Sequence, residues 1–191
     1  MERGISNQVS NLVTNQVTNL VTNQVTRMPL RSRPLSSSLV FHVLNRGNEH
    51  NTLFRATADF VHYSRLVLKY KQKFKVKVYF YCFMPNHIHM MIEPASFNVM
   101  PKFMQGITLS YAKYYRRQYE GDGHVWTGSY KSKNIEKDNY LQQCGLYIEA
   151  NPVRAGIVNN PEDYPWSSAR AHICKVVDPL VDPCPYLEPS Y

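Results

Sequence analysis

Pro85-Asn86-His87-Ile88-His89-Met90-Met91-Ile92 sets two histidines one residue apart at the mouth of an apolar run that reads as a buried strand. Successive strand residues point to opposite faces, so His87 and His89 present their imidazoles side by side while Ile88 packs behind them. Such a pair is half of a metal site. The expected other half is Tyr147-Ile148-Glu149-Ala150-Asn151, where a phenol and a carboxamide four residues apart share one face of a helix that Pro152 brings to an end.

Outward from that strand the elements follow a legible order. Lys75 to Phe83 alternates and is rich in Val, Tyr and Phe, so it reads as a strand, joined to His87–Glu93 by the loop Met84-Pro85-Asn86. Before it, Leu39 to Arg46 reads as a strand ending at Gly47, and Ala58 to Phe74 as an amphipathic helix with Thr57 as its cap. After it come a long helix from Val99 to Tyr119, one or two short strands around Gly128 between His124 and Ile135, and a helix from Lys137 to about Ala150 with its cap region at Asn134 to Glu136. The order β-α-β-β-α-β plus a helix predicts an α+β domain: a ferredoxin-like split βαβ unit with a largely antiparallel sheet and an added C-terminal catalytic helix.

The chain has 191 residues, 43% of them hydrophobic and 13% aromatic, which suits one folded domain with tails. Its formal charge of +8 is unevenly spread: residues 39–133 hold 14 Lys and Arg against 5 Asp and Glu, whereas the last 58 residues hold 4 against 8. A basic front half and an acidic back end point to a polyanionic partner on one side, with a solvated basic face as the plain alternative. Cys82, Cys144, Cys174 and Cys184 are widely spaced with no CxxC pair, so they read as reduced thiols and indicate neither a zinc knuckle nor a disulfide scaffold. With no apolar run near the roughly 18 to 20 residues of a membrane span and no signal-peptide core, a cytoplasmic protein off the membrane is expected.

From Asn7 to Thr26 the sequence repeats a tetrad, NQVS NLVT NQVT NLVT NQVT, in residues that form helices poorly. The expected organisation is a low-complexity tail and linker over 1–38, closed by the Pro/Arg/Ser-rich stretch Pro29 to Ser38. A catalytic domain over 39–173 and a C-terminal tail over 174–191 complete it.

Neutral imidazoles on a strand bind a divalent cation, and a carboxamide oxygen as third ligand leaves positions open for water or a substrate oxygen. Two nitrogens and one neutral oxygen suit Mg²⁺ or Mn²⁺ when a phosphate completes the shell. Tyr147, one helical turn from Asn151, supplies a nucleophile, which a nearby cation or a base must activate. Attack on a phosphodiester would give a phosphotyrosine, which conserves the energy of the broken bond and permits rejoining without ATP. Taken singly these features are weak: an HxH is often a packed or surface pair, and a lone tyrosine is usually a core or groove aromatic.

Five blocks in order resemble the REP-associated tyrosine transposases, a bacterial branch of the single-tyrosine HUH transposases. They are Phe41-His42-Val43 with Asn45-Arg46-Gly47-Asn48; Phe83 to His89; Gly123-His124-Val125-Trp126 with Tyr130-Lys131-Ser132; Tyr147 to Gly156; and Tyr164-Pro165-Trp166-Ser167-Ser168. The resemblance covers about residues 39 to 170. It implies that His87, His89 and Asn151 hold the metal, and that Tyr147 attacks single-stranded DNA to leave a 5′-phosphotyrosine and a free 3′-OH. It also implies recognition of short palindromic hairpins flanked by a guide tetranucleotide. One departure is visible: Ser129 stands after Gly128, where the family usually has an arginine.

For DNA contact the matched blocks favour Arg46, Lys131 and Arg154. Lys113, Arg116 and Arg117 alternate with Tyr111, Tyr114, Tyr115 and Tyr119 on one helix, either as a phosphate-binding face with rings for stacking or as an ordinary amphipathic helix with its tyrosines in the core. Lys69, Lys71, Lys73, Lys75 and Lys77 would line one face wherever the chain is extended, as a phosphate track or as a charged edge guarding a strand. The expectation is a metal-dependent transposase acting on single-stranded or hairpin DNA as a monomer or homodimer. A catalytically inactive DNA-binding module of the same fold, and a metal-dependent phosphodiesterase in which water attacks, are the readings from other classes.

Overall fold

Strand β1 (Val40–Arg46), helix α1 (Thr57–Phe74), strands β2 (Lys77–Met84) and β3 (His87–Glu93), helix α2 (Val99–Tyr119) and strand β4 (Lys131–Ile135) follow one another in a computed structural model. Helix α3 (Asn139–Glu149), the short α4 (Asn151–Arg154), a 3₁₀ turn (Pro161–Asp163) and α5 (Ala169–Ile173) complete it. The structure describes residues 39–48, 52–120, 123–135 and 139–187; the repeat and linker of the first 38 residues lie outside them.

The four strands form one antiparallel sheet in the order β2-β3-β1-β4, which is the split βαβ arrangement expected from the element order. Alternation sorts the side chains into two layers. Phe41, Val43, Phe83, Ile88, Met90 and Ile92 face α1 and α2, meeting Tyr63, Val67, Phe103, Ile107 and Tyr111. On the other side Val40, Phe80, Cys82, Met84 and Met91 face α3, meeting Leu141, Cys144 and Ile148. A bulge between Val78 and Phe80 resets the period of β2 and turns Phe80 toward α3.

Several local expectations change. Helix α1 starts at Thr57, so Thr57 is its first residue and not its cap; the carboxylate of Asp59 reaches back to accept the Arg55 and Ala56 amides at 2.7 and 2.9 Å. The alternating lysines do not share a strand: Lys69, Lys71 and Lys73 lie on α1 and Lys75 closes it in the left-handed conformation (φ 54°). A period of two written across a helix end therefore carries no common face. The tyrosines of α2 are spent on the scaffold. Tyr111 and Tyr115 donate to the Leu53 and Thr52 carbonyls, and Tyr114 and Tyr119 both donate to Asp59. Asn134 and Ile135, expected in a helix cap, belong to β4, and residues 136–138 lie outside the described residues.

The outer side of β2 is covered by the chain's later residues. Phe83 N–H donates to the Trp166 carbonyl, Ser168 N–H to the Tyr81 carbonyl, and Asp182 N–H to the Val78 carbonyl, while the Asp182 carboxylate accepts Val78 N–H at 2.8 Å. Asp182 also pairs at 2.8 Å with the ammonium of Lys71, which is buried and donates to the Leu180 carbonyl as well. Asp182→Ala leaves that buried ammonium without its counter-charge, held by backbone carbonyls alone, and orphans a strand amide, so a loss of about 3 kcal/mol is expected. Asp182→Asn, which keeps an acceptor for Val78, should lose less. Urea denaturation of the two variants checks the order, and equal midpoints would refute it.

Candidate active site

Cross-strand partners share a face, and the register defines the site. His87 lies opposite Arg46, and His89 lies in one row with Leu44 and Lys131. His42, two residues along β1 from Leu44, is the diagonal neighbour of His89 on the face that α3 covers. The His42 Nε2 and His89 Nδ1 atoms are 2.9 Å apart, and the His87 Nδ1 lies 2.6 Å from the Asn86 Oδ1. The rings of His87 and His89 meet edge to face, 5.0 Å between centroids.

Helix α3 brings the phenol to this face. Leu141, Cys144 and Ile148 bury themselves against the sheet, and Gly145 lets the helix come close: a Cβ there would lie 2.5 Å from the Phe80 ring. A helix-interior glycine costs about 1 kcal/mol against alanine, so its place is set by contact with the sheet and not by helix propensity. Beside it the buried Glu149 accepts from Ser168 Oγ at 2.5 Å and pairs with His172 Nδ1 at 2.6 Å, tying the helix to α5. With 145, 148 and 149 turned inward, Tyr147 is left half-buried over the histidines. Its ring lies 6.0 Å from that of His89 and 6.3 Å from that of His42, edge-on to both, and the Arg154 guanidinium sits 4.6 Å above it.

As the sequence predicts, this helix stops just before Pro152: α3 ends at Glu149, and the chain turns through Ala150 into the short α4. Proline brings no N–H for the carbonyl of Ile148. The Asn151 side-chain amide stands in, its Nδ2 donating to the Tyr147 carbonyl at 2.8 Å and the Ile148 carbonyl at 3.2 Å. With the nitrogen committed to the helix, Oδ1 is the end of the amide that remains to accept or ligate.

Electrostatics keep the imidazoles uncharged. Burial, helped by the Lys133 ammonium, pushes His42 down to about 4, and burial with the Arg46 guanidinium does the same for His87. His89 is held well below its ordinary value by burial first, then by its histidine neighbours, Arg46 and Arg154. At His42 and His87 the unfolded chain takes up protons near pH 6.5 that the folded chain refuses until about pH 4. Stability from these groups is therefore complete above pH 6.5 and drains away as pH falls toward 4. For His42 alone the loss is about 3 kcal/mol. Denaturation midpoints should fall steeply between pH 6.5 and 4.5, and a flat profile would contradict neutral burial.

Of the residues singled out in the sequence, the fold gathers His87, His89 and Tyr147, with Arg154 over the phenol. Asn151 opens α4 after the turn at Ala150, and Arg46 and Lys131 fall on the histidine face. Lys113, Arg116 and Arg117 do not join them: they are exposed on α2, across the sheet. There Arg116 borders a cavity of about 180 Å³ with His124 and Arg55, whose guanidinium covers the Tyr115 and Tyr119 rings. Sequence reading passed over His42 and Asn86, whose side chains engage the paired histidines. Asn86 sits beside His87 in sequence and offered a signal, whereas the role of His42 depends on strand register. Among the described residues no three His, Cys, Asp or Glu side chains form a ready-made metal site, and no helix is long and apolar enough to cross a membrane.

A family model described as "Transposase IS200 like" matches residues 35–151. Among solved structures the chain is similar to a REP-associated tyrosine transposase bound to a REP hairpin. The two share 15% identity with a TM-score of 0.63, over 84% of this chain and 94% of that one. It is also similar, at 18% identity and a TM-score of 0.43, to a proposed transposase from Deinococcus radiodurans, over 64% of this chain and 96% of that one. No curated protein matches the sequence.

Proposed function

The chain belongs to the IS200-like transposase family, and from that premise we propose that it cleaves and rejoins single-stranded or hairpin DNA, with a divalent cation, through a phosphotyrosine on Tyr147. The observation that carries this reading is the packing of the Tyr147 ring against His89, edge-on at 6.0 Å, on a helix anchored at both Gly145 and Glu149. A tyrosine that served only the core would be buried with Ile148 rather than turned onto a pair of uncharged imidazoles.

The donor set fits a hard cation. His87 and His89 each have Nδ1 engaged by a neighbour, which leaves Nε2, and Asn151 has Nδ2 engaged, which leaves Oδ1. These three would hold Mg²⁺ or Mn²⁺, with phosphate and water oxygens filling the shell. Bound there, the cation would polarise the scissile phosphate and offset charge in the transition state. Tyr147 Oη forms a bond to phosphorus as the P–O3′ bond breaks. The 5′ side stays on the tyrosine and the 3′ side leaves as a hydroxyl that takes up one proton for the one the phenol gives up. Bonds made and broken are of one kind, so a 3′-OH can reverse the step and join a new strand.

Arg46, Arg154 and Lys131, on the histidine face, serve the phosphates of the cleaved strand. Lys113, Arg116 and Arg117, across the sheet, serve a more distant part of the same substrate, for which a hairpin stem gives the reach. Support for a hairpin comes from the fold shared with the protein solved on one, and the activity is assigned to residues 39–173. The test is incubation of a 5′- and 3′-labelled hairpin oligonucleotide with the protein and Mn²⁺. A protein–DNA adduct on the 5′-phosphate side is expected; cleavage without adduct would favour a water-using phosphodiesterase, and retention without cleavage an inactive binding module.

A further inference from the structure

We propose that His42 is a positioning residue: its Nε2 accepts the Nδ1–H of His89 and thereby fixes Nε2 of His89 as the nitrogen that faces the cation. The inference rests on the metal-dependent reading above and adds to it a residue outside the ligand set. Three observations carry it. The two nitrogens are 2.9 Å apart, hydrogen-bonding distance. Both side chains are buried, 8% and 5% exposed, so water does not compete for the bond. Their rings lie 5.1 Å apart at 23°, an arrangement imposed by adjacent strands and therefore stiff.

A hydrogen bond between two neutral imidazoles runs in one of two directions. If His42 donates, His89 carries its own proton on Nε2, turns an N–H toward the site and cannot ligate. If His89 donates, its Nε2 lone pair is free and His42 keeps its proton on Nδ1. Only the second direction is compatible with a metal-binding His89. The same logic operates on its neighbour, where Asn86 Oδ1 accepts from His87 Nδ1, so each histidine has an acceptor behind it. Both acceptors are neutral. A carboxylate in either place would spend part of the cation's charge inside the protein; an imidazole and an amide leave it for the phosphate.

Two measurements on the full chain test this. In the metal-free protein with ¹⁵N-labelled histidine, long-range ¹H–¹⁵N correlation should show His89 protonated at Nδ1; an Nε2–H tautomer would overturn the assignment. Calorimetric titration with Mn²⁺ should then separate two substitutions. His42→Phe, which offers no acceptor, should weaken binding about 10- to 100-fold. His42→Gln, whose carbonyl oxygen reaches the position of Nε2, should restore it to within roughly threefold, and equal losses in the two variants would refute the role. If His42→Phe fails to fold, the proton position in the wild-type chain and the affinity of His42→Gln still decide. A wild-type chain that binds no Mn²⁺, with hairpin DNA or without, would sink the metal reading, while the proton on His89 would still decide whether His42 is the acceptor.

Discussion

Tyr147→Phe should yield a folded protein that retains hairpin DNA and forms no covalent adduct with it. The substitution removes one oxygen and keeps the ring, and the ring makes the contacts the structure shows: edge-on to His89 and His42 and beneath the Arg154 guanidinium. A quadrupole that attracts a cation is present in phenylalanine too, so the cost in stability is expected below about 1 kcal/mol. What is lost is the only atom of that side chain able to bond phosphorus. Removal of a catalytic nucleophile typically costs three or more orders of magnitude, so strand cleavage should fall by at least about 10³-fold. Denaturing gels of the labelled hairpin read both adduct and cleavage. Undiminished cleavage by the variant would mean that water, or another side chain, is the nucleophile.

For His87→Ala the expected result is a divorce of two activities. Cleavage at a fixed Mn²⁺ concentration should drop by about two orders of magnitude or more, because even removal of a group that merely supports a ligand costs 10- to 100-fold. Retention of the hairpin should change little. On the proposed reading it draws on exposed cations spread over both sides of the sheet, Arg46 and Lys131 on one and Lys113, Arg116 and Arg117 on the other, and counterion release depends on their number. Filter binding across a series of salt concentrations should give the same slope for variant and wild type. Parallel loss of binding and cleavage would show that the cation organises the DNA surface itself, and the separation of roles drawn above would fall.

What could be read in the sequence, and what could not, divides by range. Strand β3 announces itself by alternation within seven residues, and the pairing of β2 with it needs only the short loop Met84-Pro85-Asn86, so the central hairpin and its histidine pair were legible. The helix that carries Tyr147 was legible for the same reason, since its apolar positions recur at helical spacing, whereas Asn151 falls past its end, at the start of α4. His42 was not. It stands in the matched block Phe41-His42-Val43, but nothing local to that block gives it a role, and only the register of β1 against β3 brings its Nε2 to His89. Residues 178–187 were equally opaque. They have no period to detect, and they are held by hydrogen bonds and ion pairs of Asp178, Leu180, Asp182 and Tyr186 with partners some hundred residues earlier. The lysine run misled for a third reason, since the left-handed turn at Lys75 divides one pattern between a helix and a strand.

The covering of β2 bears on how two copies of this chain could meet. Sheets join most simply by setting one bare strand beside another, and on this side the hydrogen-bonding positions at Val78, Tyr81 and Phe83 are already taken by residues 166–182. Among the described strands, the edge left for a continuous sheet through a homodimer is β4, a five-residue strand bearing Lys131 and Lys133, whose like charges would face each other across a twofold axis. Helix faces, or the DNA itself, are the less obstructed meeting places.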